Sequence, residues 1–301
     1  MSSHRDYGIS SGGYSAVIVP EGAAVRMLTH QGRDLIVPFA SGEPMPDYRG
    51  AIVAPWPNRI PDGRYSFDGV ERTVPINEPS RAAALHGLVS HVPWSVYHHD
   101  ETSIRLRCIV ARSEGYPFEL VLDVAYTAEE EGLHTVITAT NTGESPAPYG
   151  TCPHPYLVAG PSPLDDWHLE LGAATFLDVT PDRLIPLQRT SVEGTTFDYR
   201  QPRQLGRTAI DHAFTDLKAT ADGNRRIKVW GPAGTGVAMT WGKSCPWVQV
   251  HTADHVIAER HRIGLAVEPM TCPPNAFNSG EDLVVLPPGK AHTAEWSIHA
   301  L

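Results

Sequence analysis

The chain has 301 residues, 41% of them hydrophobic, and a formal net charge of −10. Such a chain can bury one large core, and its negative charge disfavours a nucleic-acid or anionic-membrane partner. No apolar run approaches the ~20 residues of a membrane span, and the opening MSSHRDYGISSGG lacks the apolar segment of a signal peptide, so a cytoplasmic protein is expected.

Taken in chain order, the periodicity is that of strands. After the turn signals Asp62-Gly63 and Asp68-Gly69, RAAALHG (residues 81–87) offers at most one helical turn. YHHDE (97–101) reads as a solvated turn, and SIRLRCIVA (103–111) as a strand. PFELVLDVAYT (117–127) alternates Leu120, Leu122, Val124 and Tyr126 against more polar neighbours. LHTVITATN (133–141) follows the acidic turn AEEEG, which predicts an antiparallel hairpin. RRIKVWG (225–231) and GVAMTWG (236–242) flank GPAGTG, a hairpin turn rather than a phosphate loop. PWVQVHT (246–252) and GLAVEP (264–269) complete the series. The 26 glycines and 27 prolines are spread along the chain instead of marking a linker. The expectation is one all-β domain over residues 1–301, a large antiparallel β-sandwich.

Chemistry is sparser. The four cysteines, Cys108, Cys152, Cys245 and Cys272, form no CxxC pair, so free thiols are expected. Neither GxxxxGK[ST] nor GxGxxG occurs. His251 and His255 are four apart, but the segment before them reads as strand and no third ligand is near in sequence, so no metal is expected.

Two residues stand out. His154 lies between Pro153 and Pro155 in PYGTCPHPYLVAG (148–160), on chain that two prolines hold stiff and extended. Glu268 ends the apolar run GLAVEP, on the face of Ala266 and opposite Leu265 and Val267. Each has two readings. His154 is a structural imidazole in a rigid turn or a proton donor. Glu268 is an edge carboxylate paired with an arginine, or a general base tuned by burial. Four further stretches hold polar groups in stiff frames: Asn58 and Arg59 in APWPNRIPDGRY, His86 in LHGL, Asp211 in IDHAFTDL and Gln249 in WVQVHT. Fork donors, carboxylates and aromatic faces together suit a neutral polyol.

The order NR, HG, HPY, DHAF, WVQVHT, AVEPM resembles the aldose 1-epimerase (galactose mutarotase) family from about Ala54 to the C-terminus. The tail EPMTCPPNAFNSGEDLVVLPPG is similar to its bacterial members. The resemblance implies a galactose mutarotase-like β-supersandwich that interconverts the α and β anomers of a free hexose without a cofactor. It places the base on Glu268, the acid on His154, and sugar contacts on Asn58, Arg59, His86, Tyr156, Asp211 and Gln249. A general base at Glu268 and an acid at His154 would call for a carboxylate facing an imidazolium. HPYLVAG, Glu268-Pro269-Met270 and His251-Thr252 depart from the best-known galactose mutarotases; these changes spare the acid and base and bear on the preferred sugar. A hexose-6-phosphate mutarotase, which would need cations such as Arg64 and Arg81, and a non-catalytic sugar-binding β domain are the other readings. A glycoside hydrolase or lyase is a weaker fourth. The oligomeric state is not legible.

Overall fold

The computed structural model describes residues 5–301. Strands make up 48% of it and helix 4%, so the fold is all-β. A nine-stranded antiparallel sheet runs in the order Ser95–His99, Ser103–Val110, Leu120–Glu129, Gly132–Asn141, Ala291–Ala300, Gly236–Trp241, Arg225–Trp230, His168–Leu171, Arg203–Gln204. The expected hairpin is present, paired from Leu120↔Asn141 to Glu129↔Gly132. Its period-two pattern puts Leu122, Val124 and Tyr126 into the core, while the residues between them are partly exposed. The GPAGTG segment closes the hairpin Arg225–Trp230/Gly236–Trp241, with Gly231 N–H donating to Thr235 O at 2.9 Å.

A six-stranded sheet runs Tyr156–Leu157, Leu265–Met270, Trp247–His251, Asp211–Leu217, Ala173–Val179, Pro186–Ser191. One of its faces, with Val248, Val250, Leu265, Val267 and Phe214, joins the main hydrophobic core shared with the nine-stranded sheet. A four-stranded N-terminal sheet, Tyr7–Ser11 to Arg33–Asp34, packs into the same core through Ile9, Ala16, Ile18 and Leu28.

Two expectations need correction. Residues 81–87 are not a helical turn: the short 3-10 turn is Pro79–Arg81, and Ala83–Leu85 is a strand paired with Arg59–Pro61. Pro79 fixes the φ that starts that turn, and pairing with a distant strand claims the alanines, overriding their helical preference. His98 and His99 are not a turn; they end the exposed strand Ser95–His99. All four cysteines are buried free thiols.

Candidate active site

Strand register builds most of the site. Gln249 sits directly opposite Glu268, Ala213 opposite Gln249, His251 opposite both Asp211 and Ala266, and Tyr156 opposite Ala266. Directly paired residues share a face, and so do residues two apart. Tyr156, Glu268, Gln249, His251 and Asp211 therefore project from the face of the six-stranded sheet away from the main core.

The remaining groups come from loops locked to that sheet. His154 N–H donates to Ala51 O at 3.0 Å, and Gly50 N–H donates to His154 O at 2.8 Å. Gly50 has φ +76°, and a Cβ there would lie 2.2 Å from Val25 O, so only glycine permits this clamp. His86 N–H donates to Asn58 O at 2.9 Å. Gly87, φ +69°, lets the chain pass Ala54 O, which a Cβ would meet at 2.0 Å.

These elements enclose a cavity of about 220 Å³, lined by every residue the sequence singled out: Asn58, Arg59, His86, His154, Tyr156, Asp211, Gln249 and Glu268. Its size suits a small ligand, below the ~300–1,000 Å³ of drug-sized sites. A larger cleft of about 810 Å³ borders the nine-stranded sheet, but mainly apolar side chains such as Leu88, Val92, Ile109 and Val110 line it.

Within the cavity His154 Nε2 lies 3.3 Å from Glu268 Oε1, and both side chains are buried. Burial pushes Glu268 well above the usual carboxyl range, reinforced by the charge of Asp211 and opposed by the Cys152 thiol and Arg59. Burial, helped by His251, drives His154 down to about 3. The expected carboxylate facing an imidazolium is thus opposed by desolvation, which favours the neutral form of each group. His86 is held well below its ordinary value by burial and by the neighbouring His154.

Arg59 makes a two-pronged bond to Glu78, Nε to Oε2 at 2.7 Å and Nη2 to Oε1 at 2.9 Å. Arg81 adds a third donor to Glu78 at 3.0 Å. Gln249 Nε2 donates to Asp211 Oδ1 at 2.6 Å, which fixes the amide orientation because a carboxylate can only accept. Burial would raise Asp211, but His251, Arg59 and this hydrogen bond hold it below its ordinary value. Gln249 Oε1, His86 Nδ1 and His154 Nδ1 are buried without a protein partner among the described residues. Buried polar atoms are normally satisfied, and hydroxyl groups, which both donate and accept, can supply what these lack.

Sequence reasoning missed Asp47, Tyr48, Glu78, Leu85 and His251 as lining residues. The Tyr48 ring lies 4.7 Å from that of His86 and 6.1 Å from that of His154. Nothing local signals Tyr48 or Glu78. His251 was legible only through its register with Asp211. Ligand-type atoms of His86, His154 and Glu268 fall within 4.8 Å of one another. These are the described residues that could hold a metal, but that span exceeds the roughly 3.3 Å edge of a tetrahedron with ~2.0 Å bonds, so the trio would have to close in around an ion.

Antiparallel sheets stacked on one core, with a polar cavity on the outer face of one of them, define the class of galactose mutarotase-like folds. The chain belongs to the aldose 1-epimerase family, whose sequence profile matches residues 5–299. It is 35% identical over 292 residues to YihR of Escherichia coli K12, covering 97% of this chain and 92% of that protein. Over 251 residues it is 30% identical to human galactose mutarotase, covering 77% and 71%. Two solved structures share the fold. The GalM/aldose epimerase homologue from C. elegans superposes with TM-score 0.86 at 23% identity, covering 99% of this chain and 98% of that one. Galactose 1-epimerase from Lactobacillus acidophilus gives 0.79 at 18%, covering 97% and 92%. Family membership supports a mutarotase-type activity.

Proposed function

We propose that the protein is an aldose 1-epimerase acting on a free, uncharged hexose, with Glu268 and His154 as its proton-transfer pair. The observation that carries this reading is the 3.3 Å approach of Glu268 Oε1 to His154 Nε2 inside a small polar cavity. Glu268 takes the proton of the anomeric hydroxyl as His154 gives one to the ring oxygen. The bond from C1 to the ring oxygen breaks and a C1 aldehyde forms. The C1–C2 bond rotates, and the ring hydroxyl attacks the other face of the aldehyde, returning its proton to His154 while O1 regains one from Glu268. Acid and base end as they began, so the cycle consumes no co-reactant.

The cycle starts with the proton on His154, whereas burial favours Glu268. The two arrangements hold the same number of protons. Binding therefore only has to move one proton across 3.3 Å, and hydrogen bonds from sugar hydroxyls to the Glu268 carboxylate favour that shift. Asn58, His86, Tyr156, Asp211 and Gln249 are assigned to the sugar hydroxyls. An uncharged substrate is favoured because the lining carries Asp47, Glu78 and Asp211 against one arginine, Arg59, already committed to Glu78, while the one-proton pair of Glu268 and His154 adds no net charge. A phosphate among these carboxylates meets repulsion without a free cation.

Polarimetry on freshly dissolved α-D-glucose, α-D-galactose and glucose 6-phosphate tests the proposal. Acceleration of a neutral sugar over the buffer rate is expected. Acceleration of the phosphate alone would shift the assignment to a sugar-phosphate mutarotase, and no acceleration of any sugar would leave a binding domain.

A further inference from the structure

The proton-transfer scheme leaves unused one buried nucleophile that touches it. Cys152 Sγ lies 3.8 Å from Glu268 Oε2, oriented as a thiol donating to the carboxylate. The residue sits on the strand Cys152–Pro153, opposite Val53 of Ile52–Val53. Thr151, just before it, donates its hydroxyl to Val53 O at 2.7 Å and its N–H to Thr271 Oγ1 at 2.9 Å, so the chain carrying the sulfur is fixed. Apart from Glu268, the thiol packs in an apolar cluster with Val53, Leu177, Ala213, Trp247 and Met270. Among the described residues no other group donates a hydrogen bond to Glu268 Oε2.

The torsion that orients a glutamate carboxyl is soft and roughly two-fold. Burial alone does not decide which way its plane faces. A donor on one oxygen does, because turning away would leave a desolvated carboxyl oxygen unpaired. A thiol suits the position: it packs as a small apolar group on the cluster side and offers a weak S–H donor on the other. We infer that Cys152 is a positioning residue, whose thiol holds Oε2 of Glu268 so that Oε1 stays turned toward His154 and the bound sugar. This inference rests on the mutarotase reading.

The test is steady-state polarimetry on wild type, Cys152→Ala and Cys152→Ser, with folding checked by circular dichroism and thermal melting. With the carboxyl loosened, Cys152→Ala is expected to lose about tenfold in kcat while KM stays within about twofold, because the defect lies in presenting the acid and base and not in holding the hydroxyls. Cys152→Ser, which restores a donor, should return to within about threefold of wild-type kcat. If Cys152→Ala fails to fold, Cys152→Val takes its place, filling the space of the sulfur without a donor. A folded non-donor variant with wild-type kcat overturns the inference. So does a serine variant no better than the non-donor. A wild-type protein that accelerates no sugar overturns the mutarotase reading, and this inference with it, so the two failures are distinguishable.

Discussion

The hairpin Leu120–Glu129/Gly132–Asn141 and the pocket strand Leu265–Met270 are both antiparallel β, yet they bury their residues by different rules. Along the hairpin buried and partly exposed positions alternate almost without exception. All six residues of the pocket strand are buried. In the hairpin one face meets the core and the other meets water, so polar residues go where hydration is cheap. In the pocket strand Leu265 and Val267 face the core while Glu268 faces a cavity that excludes most water. A carboxyl there loses hydration and is compensated only by what the fold brings: Cys152, His154 and the charge of Arg59. An alternating strand serves stability with both faces. A strand buried on both faces gives one of them to chemistry, at a cost in stability.

The contrast is sharpest under substitution. The largest expected effect is Glu268→Gln, which keeps size and loses the proton-accepting group. It should fold and lose roughly 10²–10⁴-fold in mutarotation rate, as general acid–base catalysis predicts. The same variant should be more stable than wild type at pH 7. A carboxyl whose folded pKa lies above its ordinary 4.5 binds its proton more tightly when folded. Stability is therefore fully present below pH 4.5 and declines as pH rises. Melting curves at pH 4 and pH 7 check the sign: an advantage of Glu268→Gln that shrinks as pH rises would be the wrong way round.

Next comes His154→Gln. In wild type the active pair holds one proton, so kcat/KM should be bell-shaped in pH, with limbs that belong to the pair as a whole. Glutamine can hydrogen-bond the ring oxygen but cannot deliver a proton. The variant should lose most of kcat, with sugar affinity changing less, and its residual rate should rise to a plateau as Glu268 ionises, without a fall at high pH. A retained basic limb would assign that limb to another group.

In the hairpin the effects fall on stability alone. Leu122→Ala should cost about 2–5 kcal/mol in denaturant unfolding, since Leu122 is 0% exposed. Its rate per folded molecule should be unchanged. Smallest is Ile109→Thr on the adjacent strand, 61% exposed. It should shift stability by no more than about 0.5 kcal/mol in either direction. A larger loss would mean that this outer face is covered by something in solution.

The hairpin was legible because alternation is a local signal that needs no knowledge of its partner. His154 and Glu268 were legible for other reasons. The prolines around His154 announce a rigid frame, and a carboxyl closing an apolar run is conspicuous. Asn58, Arg59, His86, Asp211 and Gln249 are unremarkable one by one, and it was their order that singled them out. Tyr48 and Glu78 escaped because their place in the cavity depends on loops meeting the sheet from far away in sequence.

By itself the sequence determined the strand periodicity, the stiff frames and the types of group available for acid–base chemistry, since these follow from local sterics and polarity. The tertiary structure decided the register that sets Gln249 opposite Glu268 and Asp211 opposite His251. It also decided the 3.3 Å separation of His154 and Glu268 and the desolvation that favours the neutral form of each. The physical reason is that register and desolvation are properties of pairs. A side chain's pKa and partners depend on which distant strands exclude water from it, and no window along the chain contains that information.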